Sequence, residues 1–431
     1  MTQAAHRIDQ AKTLADECEQ MTAEGVRASI HYGRRGGQWA AEFRFVLVSL
    51  GRASTMPLTD RSTRFLSKAA ALADVAQRLA AAVDAAVAGL PLARAQERAA
   101  KAVREWARAQ ALAAKPRFLD CFAGIGGFHL ALAGHGAVCA GAVELDAAAR
   151  ETYRANHPGA YLLHDDIRTA TGAMFGRVDA LCAGFPCQSF SQAGKGSGLA
   201  DPDKGALFFE VARLIGELSP TVALLENVPA LMTHDDGRTL DTILERLTGL
   251  GYAVSLARLN AAEFGLAQVR ERLFFVCIHD RALGGRVAPY IFPAGTDAGA
   301  VVADILERKP DARPCERPMA RVHPDPARRS RRIELVGYVD GRASQGYRVA
   351  SPLGKGYTLC ANSGGAGGKT GLYLVAGKPR PLSPREAARM QGFPDSFKSH
   401  PTRTTALTQF GNSVAVPVVS AVAGALPPSL F

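Results

Sequence analysis

The sequence predicts an α/β protein in which a mostly parallel sheet, covered on both faces by helices, joins a smaller β-rich domain and an N-terminal α+β extension. Three observations predict it. Apolar strands alternate with Gly turns and amphipathic helices from Phe118 to about residue 280; the alternation then dissolves into Pro, Arg and Gly; and the first 115 residues follow a different rhythm. At 431 residues the chain is also too long for one ordinary core. The boundaries read from these changes are 1–115 for the extension, 116–280 for the sheet domain, 281–400 for the β-rich domain, and 401–431 for a segment that returns to complete the sheet domain.

In chain order, "AHRIDQAKTLADECEQMTAEG" (5–25) carries helical spacing, and "ASIHYGRRGGQWAAEFRFVLVSL" (28–50) reads as two strands joined by a basic Gly-rich turn. Residues 61–114 are Ala-rich helix with a Leu-Pro break at 90–91. The strands of the sheet domain are "RFLDCF", "AVCAGAVELD", "VDALCAGF", "TVALLEN" and "RLFFVCI", which are apolar enough for a sheet buried on both faces. Residues 338–376 read as short strands and turns, and "NSVAVPVVSAVAGAL" as a final helix docking on a core.

A net charge of +11, concentrated in the N-terminal third and around "ARRSRR" (327–332), favours a polyanionic partner, although a solvated basic surface would look the same. Eight cysteines without a C-x-x-C pair argue against zinc and for free thiols in a reducing compartment. No charged-then-apolar leader and no apolar run of about 18 residues occurs, so neither a signal peptide nor a membrane span is expected.

Four stretches and one further strand end carry chemistry. "FLDCFAGIGGF" (118–128) ends a strand in Gly124, Gly126 and Gly127, which let backbone amides approach a ligand at a helix N-terminus. The next strand ends in "VELD", placing Glu144 to accept ribose hydroxyls. Together they describe an adenosine site without a pyrophosphate clamp, since position 129 is His. "CAGFPCQSFSQAGKG" (182–196) sets Cys187 just past a strand end, after a proline and before a polar loop that cannot bury itself. A lone cysteine is more often a buried structural thiol. "LLENV" puts Glu226 and Asn227 at the end of the next strand, where a carboxylate also serves as a helix N-cap. "QVRERLFFV" sets Arg270 and Arg272 two apart on one strand face, a pattern equally common on a solvated surface.

A nucleophilic cysteine, a carboxyl and two arginines beside an adenosine site suit one reaction. The C5 carbon of cytosine is a poor nucleophile; thiolate attack on C6 with protonation at N3 turns the ring into an enamine whose C5 can accept a sulfonium methyl. Cys187 is then the nucleophile, Glu226 the acid at N3, and Arg270 and Arg272 the groups that hold the pyrimidine or the loop.

These stretches, with "RPLSPREAARMQGFPDSF" and "QFGNSVAVPVV", occur in the order typical of DNA cytosine-5 methyltransferases. Residues 117–431 resemble that family's compact bacterial type II modification methylases, including the Gly-rich recognition segment "SQGYRVASPLGKGYTLCANSGGAGGKTGLYLV". The resemblance implies a Rossmann-like, S-adenosylmethionine-dependent methyltransferase domain with a β-rich target-recognition domain. It implies cofactor contacts from Phe122, Gly124, Gly126, Glu144, Leu145, Asp166, Ile167, Pro186, Asn412 and Ser413, with Leu145 where the family often has an aromatic. It adds Asn227 to the catalytic set and Gln188, Ser191, Lys195, Gln345, Arg348 and Thr358 to the DNA-binding set. The loop from Gln188 to about Lys204 would close on a flipped-out cytosine. Asn362 and Ala193 depart from the family's usual residues, so no recognition sequence is transferred beyond a G·C-containing site.

The implied partners are double-stranded DNA and a cognate restriction endonuclease acting on the same site. The implied state is a monomer on DNA, in the bacterial cytoplasm, with S-adenosylmethionine, no metal and no membrane. Cytosine-5 methylation of RNA by the same architecture stays open. For residues 1–115, bracing, dimer contact and DNA contact or promoter regulation all stay open.

Overall fold

The computed structural model describes residues 17–23, 26–35, 38–47, 115–159, 162–186, 207–283, 289–361 and 366–427, the first three as backbone. The chain divides into two compact units, residues 1–116 with 427–429, and residues 117–426 with 430–431.

In the first unit, β1 (Glu17–Ala23), β2 (Val26–Arg35) and β3 (Gln38–Leu47) form an antiparallel meander. The expected hairpin is present, with Arg35 paired to Gln38. The helix expected over 5–25 is corrected at its C-terminal end: Glu17–Ala23 is a strand paired with β2. Two-residue connections at "EG" and "GG" favour hairpins, and pairing overrode the helical spacing. The Ala-rich stretch 61–114 lies outside the described residues.

The second unit is built on a seven-stranded sheet of β4 (Arg117–Cys121), β5 (Val138–Val143), β6 (Leu163–His164), β7 (Ala180–Ala183), β8 (Val222–Asn227), β9 (Tyr252–Asn260) and β10 (Glu271–His279). Its order is β6-β5-β4-β7-β8-β10-β9, parallel from β6 to β8 and antiparallel at the β8–β10 and β10–β9 pairs. Alternate residues feed opposite faces, as strand geometry requires. Leu119, Leu181, Leu225 and Phe275 meet α3 (Leu207–Leu218) and α4 (Arg238–Gly249), which contribute Val211, Leu214, Ile215, Ile243 and Leu247. Phe118, Cys182, Leu224 and Val276 meet α1 (Gly127–Gly134) and α7 (Val416–Gly424). Between α1 and α3, α2 (Ala147–Asn156) is N-capped by Asp146, whose carboxylate accepts from the Ala148 N–H.

The final helix begins at Val416 rather than Asn412, because Pro417 suits a first turn and Ser413 ends α6 (Arg403–Asn412). The α6–α7 stretch passes a length-and-hydropathy test for a membrane span, yet it is broken at Ser413 and its residues Leu407, Phe410, Val418, Val419 and Val422 are core.

The β-rich region forms a five-stranded sheet, β11 (Met319–Arg321), β12 (Leu335–Val339), β13 (Arg348–Ala350), β14 (Leu372–Val375) and β15 (Lys378–Arg380), in sequential order. From it the chain enters α5 (Pro384–Met390), started by a Ser383–Glu386 capping box whose carboxylate also accepts both Arg380 nitrogens at 2.7 Å.

Candidate active site

The strand order reverses at β4, with β5 on one side and β7 on the other, and ligands of open parallel sheets gather at such switch points. At the carboxyl ends of β4, β5, β7 and β8 the structure opens a cavity of about 740 Å³, within the range of cofactor sites. Among its lining residues are Phe122, Gly124, Glu144, Pro186, Glu226, Asn227, Arg270, Arg272, Asn412 and Ser413, all singled out from the sequence.

The Gly-rich turn is held in a shape few residues tolerate. Phe122, Gly124 and Gly126 all have positive φ, at 54°, 54° and 87°. The turn is tied to β5 by the Ala123 N–H donating to the Val143 carbonyl (3.0 Å) and the Gly124 N–H donating to Glu144 Oε2 (2.7 Å). Glu144 Oε1 accepts the Asp146 N–H (2.8 Å), and each oxygen keeps a lone pair for a ligand hydroxyl. Burial raises the Glu144 pKa, against those N–H donors. A Cβ on Gly126 would meet His157 Nε2 at 2.2 Å, and one on Gly127 would meet Ser413 Oγ at 2.7 Å. The absence of side chains thus lets His157 and the Asn412–Ser413 turn close on the loop.

Glu226, at the end of β8, is 9% exposed and pairs with Arg272 Nε at 3.1 Å. Burial pushes its pKa up, with Arg272 and then Arg270 opposing. Arg270 and Arg272 share the cavity, as their spacing predicts, but not a task. Arg270 precedes β10; its guanidinium donates to the carbonyls of Leu359 (2.8 Å), Ser413 (2.7 Å) and Gly411 (3.3 Å). It is a buried clamp between the recognition segment and the C-terminal turn. Asn227 likewise serves the backbone: its amide donates to the Phe185 carbonyl (3.0 Å) and accepts the Val228 N–H (2.8 Å). That bond fixes the residue two before Cys187, whose chain enters the cavity rim at Pro186.

Other expected residues stand apart. Leu145 is 67% exposed and does not line the cavity. Asp166 forks with Arg168 at 2.7 Å, and Ile167 is core; neither lines it. The Thr358 hydroxyl donates to the Val269 carbonyl (2.6 Å), while Gln345 and Arg348 are exposed at the start of β13. Cys187, Gln188, Ser191, Lys195 and Asn362 lie outside the described residues. Sequence reasoning missed Asp146, Thr408 and Gln409 on the lining. Asp146 was legible as an N-cap; Gln409 sat unused inside "QFGNSVAVPVV".

A family model described as C-5 cytosine-specific DNA methylase matches residues 116–427. The chain belongs to the C-5 cytosine-specific DNA methylase family. This methylase is 37% identical over 310 residues to the type II methyltransferase M.HhaI of Haemophilus parahaemolyticus, a match covering 71% of this chain and 93% of that one. It is 38% identical to the type II methyltransferase M.HpaII of Haemophilus parainfluenzae, over 70% of this chain and 87% of that one. Among solved structures, the methylase matches S. pombe Dnmt2 methyltransferase with a TM-score of 0.53 and 21% identity, covering 72% of this chain and 97% of that one. A putative DNA modification methyltransferase encoded within an E. coli prophage matches with a TM-score of 0.52 and 23% identity, over 72% and 98% of the two chains. These two share the fold. Residues 1–115 of the methylase lie outside the family match.

Proposed function

We propose that the protein methylates C5 of a flipped-out cytosine in a short, specific, G·C-containing duplex site, with Cys187 as nucleophile and Glu226 as acid. The observation that carries this reading is the convergence on one cavity of Pro186, the Glu226–Arg272 pair and the Gly-rich turn. Duplex DNA is favoured over RNA as substrate because the matching family is a DNA methylase and the relatives M.HhaI and M.HpaII are type II methyltransferases.

The residues present fit S-adenosylmethionine. The cavity has the volume, Glu144 keeps free lone pairs, and Gln409 Nε2 is buried without a partner on the lining. Phe122, Gly124, Gly126, Glu144, Pro186, Asn412 and Ser413 would hold the cofactor, which when bound supplies an electrophilic methyl group. The chain's own residues do the rest. The Cys187 thiolate adds to C6 while Glu226 gives its proton to N3, leaving C5 nucleophilic. Arg272, fixed on Glu226, orients the acid and stabilises the carboxylate that forms. After methylation, water takes the C5 proton, the C5–C6 double bond re-forms as the C6–S bond breaks to release the Cys187 thiolate, and N3 returns its proton to Glu226.

In this reading the enzyme acts as a cytoplasmic monomer and is paired with an endonuclease of the same specificity. A 5-fluorocytosine duplex tests the chemistry, since fluorine cannot leave C5 as a proton does. Wild-type protein with cofactor should give a covalent protein–DNA adduct, and Cys187→Ser should give none while still binding duplex. Adduct formation by Cys187→Ser would refute the nucleophile.

A further inference from the structure

The N-terminal meander segregates its residues by register. Cross-strand partners share a face, so Val26, Ile30, Tyr32, Trp39, Phe43 and Phe45 fall on one side of β2 and β3, with Arg34 opposite Trp39 at its end and Glu17 and Glu19 of β1 beside Tyr32 and Ile30. Arg27, Arg35 and Arg44 fall on the other, with His31 and one acid, Glu42. Antiparallel sheets commonly pack one face and solvate the other, and here the apolar side is the one a core requires. The polar side carries three fixed cations against one anion. Over residues 1–116, seventeen Lys and Arg face eleven Asp and Glu, so about a quarter of the chain holds +6 of the +11 net charge.

The structure assigns this basic face a second contact with the duplex: Arg27, Arg35 and Arg44 neutralise DNA phosphates, separately from the recognition segment. Charge complementarity selects the occupant, since the enzyme's own substrate is a polyanion and arginine suits phosphate oxygens. A ten-residue, two-stranded β2–β3 ribbon spans roughly 33 Å, several phosphate spacings along a strand. The contact is backbone-directed, adding affinity without adding sequence information. The inference rests on DNA being the substrate, and methyl transfer measured in parallel keeps the two separable.

The test is duplex binding by the full chain, read by fluorescence anisotropy across a salt series, with methyl transfer at saturating duplex as control. Arg27→Gln/Arg35→Gln/Arg44→Gln should weaken binding about tenfold or more near ~0.1 M salt and lower the log–log salt slope by roughly two to three. Its kcat should stay within about twofold. Glu42→Gln should tighten binding and Arg27→Lys/Arg35→Lys/Arg44→Lys should retain most of it, outcomes that mere unfolding cannot produce. Unchanged affinity and slope in the Gln variant would overturn the proposal. So would lost self-association with unchanged DNA affinity, which would give the face to a second copy.

Discussion

Arg272 Nε lies 3.1 Å from Glu226 Oε1, across the antiparallel β8–β10 pair that sets Glu226 opposite Phe274. The carboxyl is caught between burial, which favours its protonated form, and two guanidinium groups, which favour the ionised one. Burial outweighs the guanidinium groups, so the Glu226 pKa lies above the ordinary carboxylate value, the direction that the proposed acid needs.

Glu226→Gln should lower kcat by about 10²–10⁴ while duplex affinity is kept. In the wild type, kcat falls as pH rises through the raised Glu226 pKa, because the acid has then lost its proton. Arg272→Ala removes the stronger of the opposing charges, so this limb moves to higher pH and the maximal rate drops. Steady-state pH profiles check both; a limb that moves down or stays would separate Arg272 from Glu226.

Arg270 should behave differently. Its three carbonyl partners belong to Leu359, Gly411 and Ser413, beside the proposed cofactor turn. Arg270→Ala leaves these acceptors unpaired and should cost about 2–4 kcal/mol of stability. It should also raise the dissociation constant for S-adenosylmethionine. Urea denaturation and calorimetric titration read the two effects.

Gly126→Ala meets two obstacles, a φ of 87° and a Cβ 2.2 Å from His157 Nε2. The His157 ring cannot swing aside: it stacks on His129 at 4.0 Å and its Nε2 bonds the Ile125 carbonyl at 3.2 Å. The single variant should lose about 3 kcal/mol or more, of which the left-handed conformation accounts for about 1–2. Combined with His157→Ala, the clash disappears and the two losses should be sub-additive by ~1 kcal/mol or more. Simple additivity would show that the ring does not limit the loop.

Asp120 lies fully buried on β4, where desolvation, opposed by the His129 N–H, raises its pKa well above the ordinary value. The folded state therefore holds a proton that the unfolded state releases above the usual carboxylate range. Stability contributed at this site falls as pH rises beyond that range. Asp120→Asn removes the dependence, so its stability relative to wild type should climb as pH rises above the ordinary carboxylate range. Denaturant midpoints across that range check it; a constant offset would mean that Asp120 ionises freely in the folded protein.

The sequence by itself determined the strand-and-helix alternation, the order of the chemical motifs and the family, because each is a local pattern. Period-two apolar strands, Gly before a helix, and a carboxyl or thiol just past a strand end all follow from backbone geometry within a few residues. It also determined that Glu144, Glu226 and the Gly-rich turn would share one edge of the sheet. Only the tertiary structure decided how the polar groups are spent. Asn227, Thr358 and Arg270 look like ligand-binding side chains in sequence, but chain segments up to 143 residues away supply carbonyls that take their hydrogen bonds. Hairpin pairing with β2 likewise made a strand of Glu17–Ala23 despite its helical spacing. For the three side chains the reason is the same: a polar group inside the fold takes the partner that the fold brings within about 3 Å, and local sequence does not specify that partner.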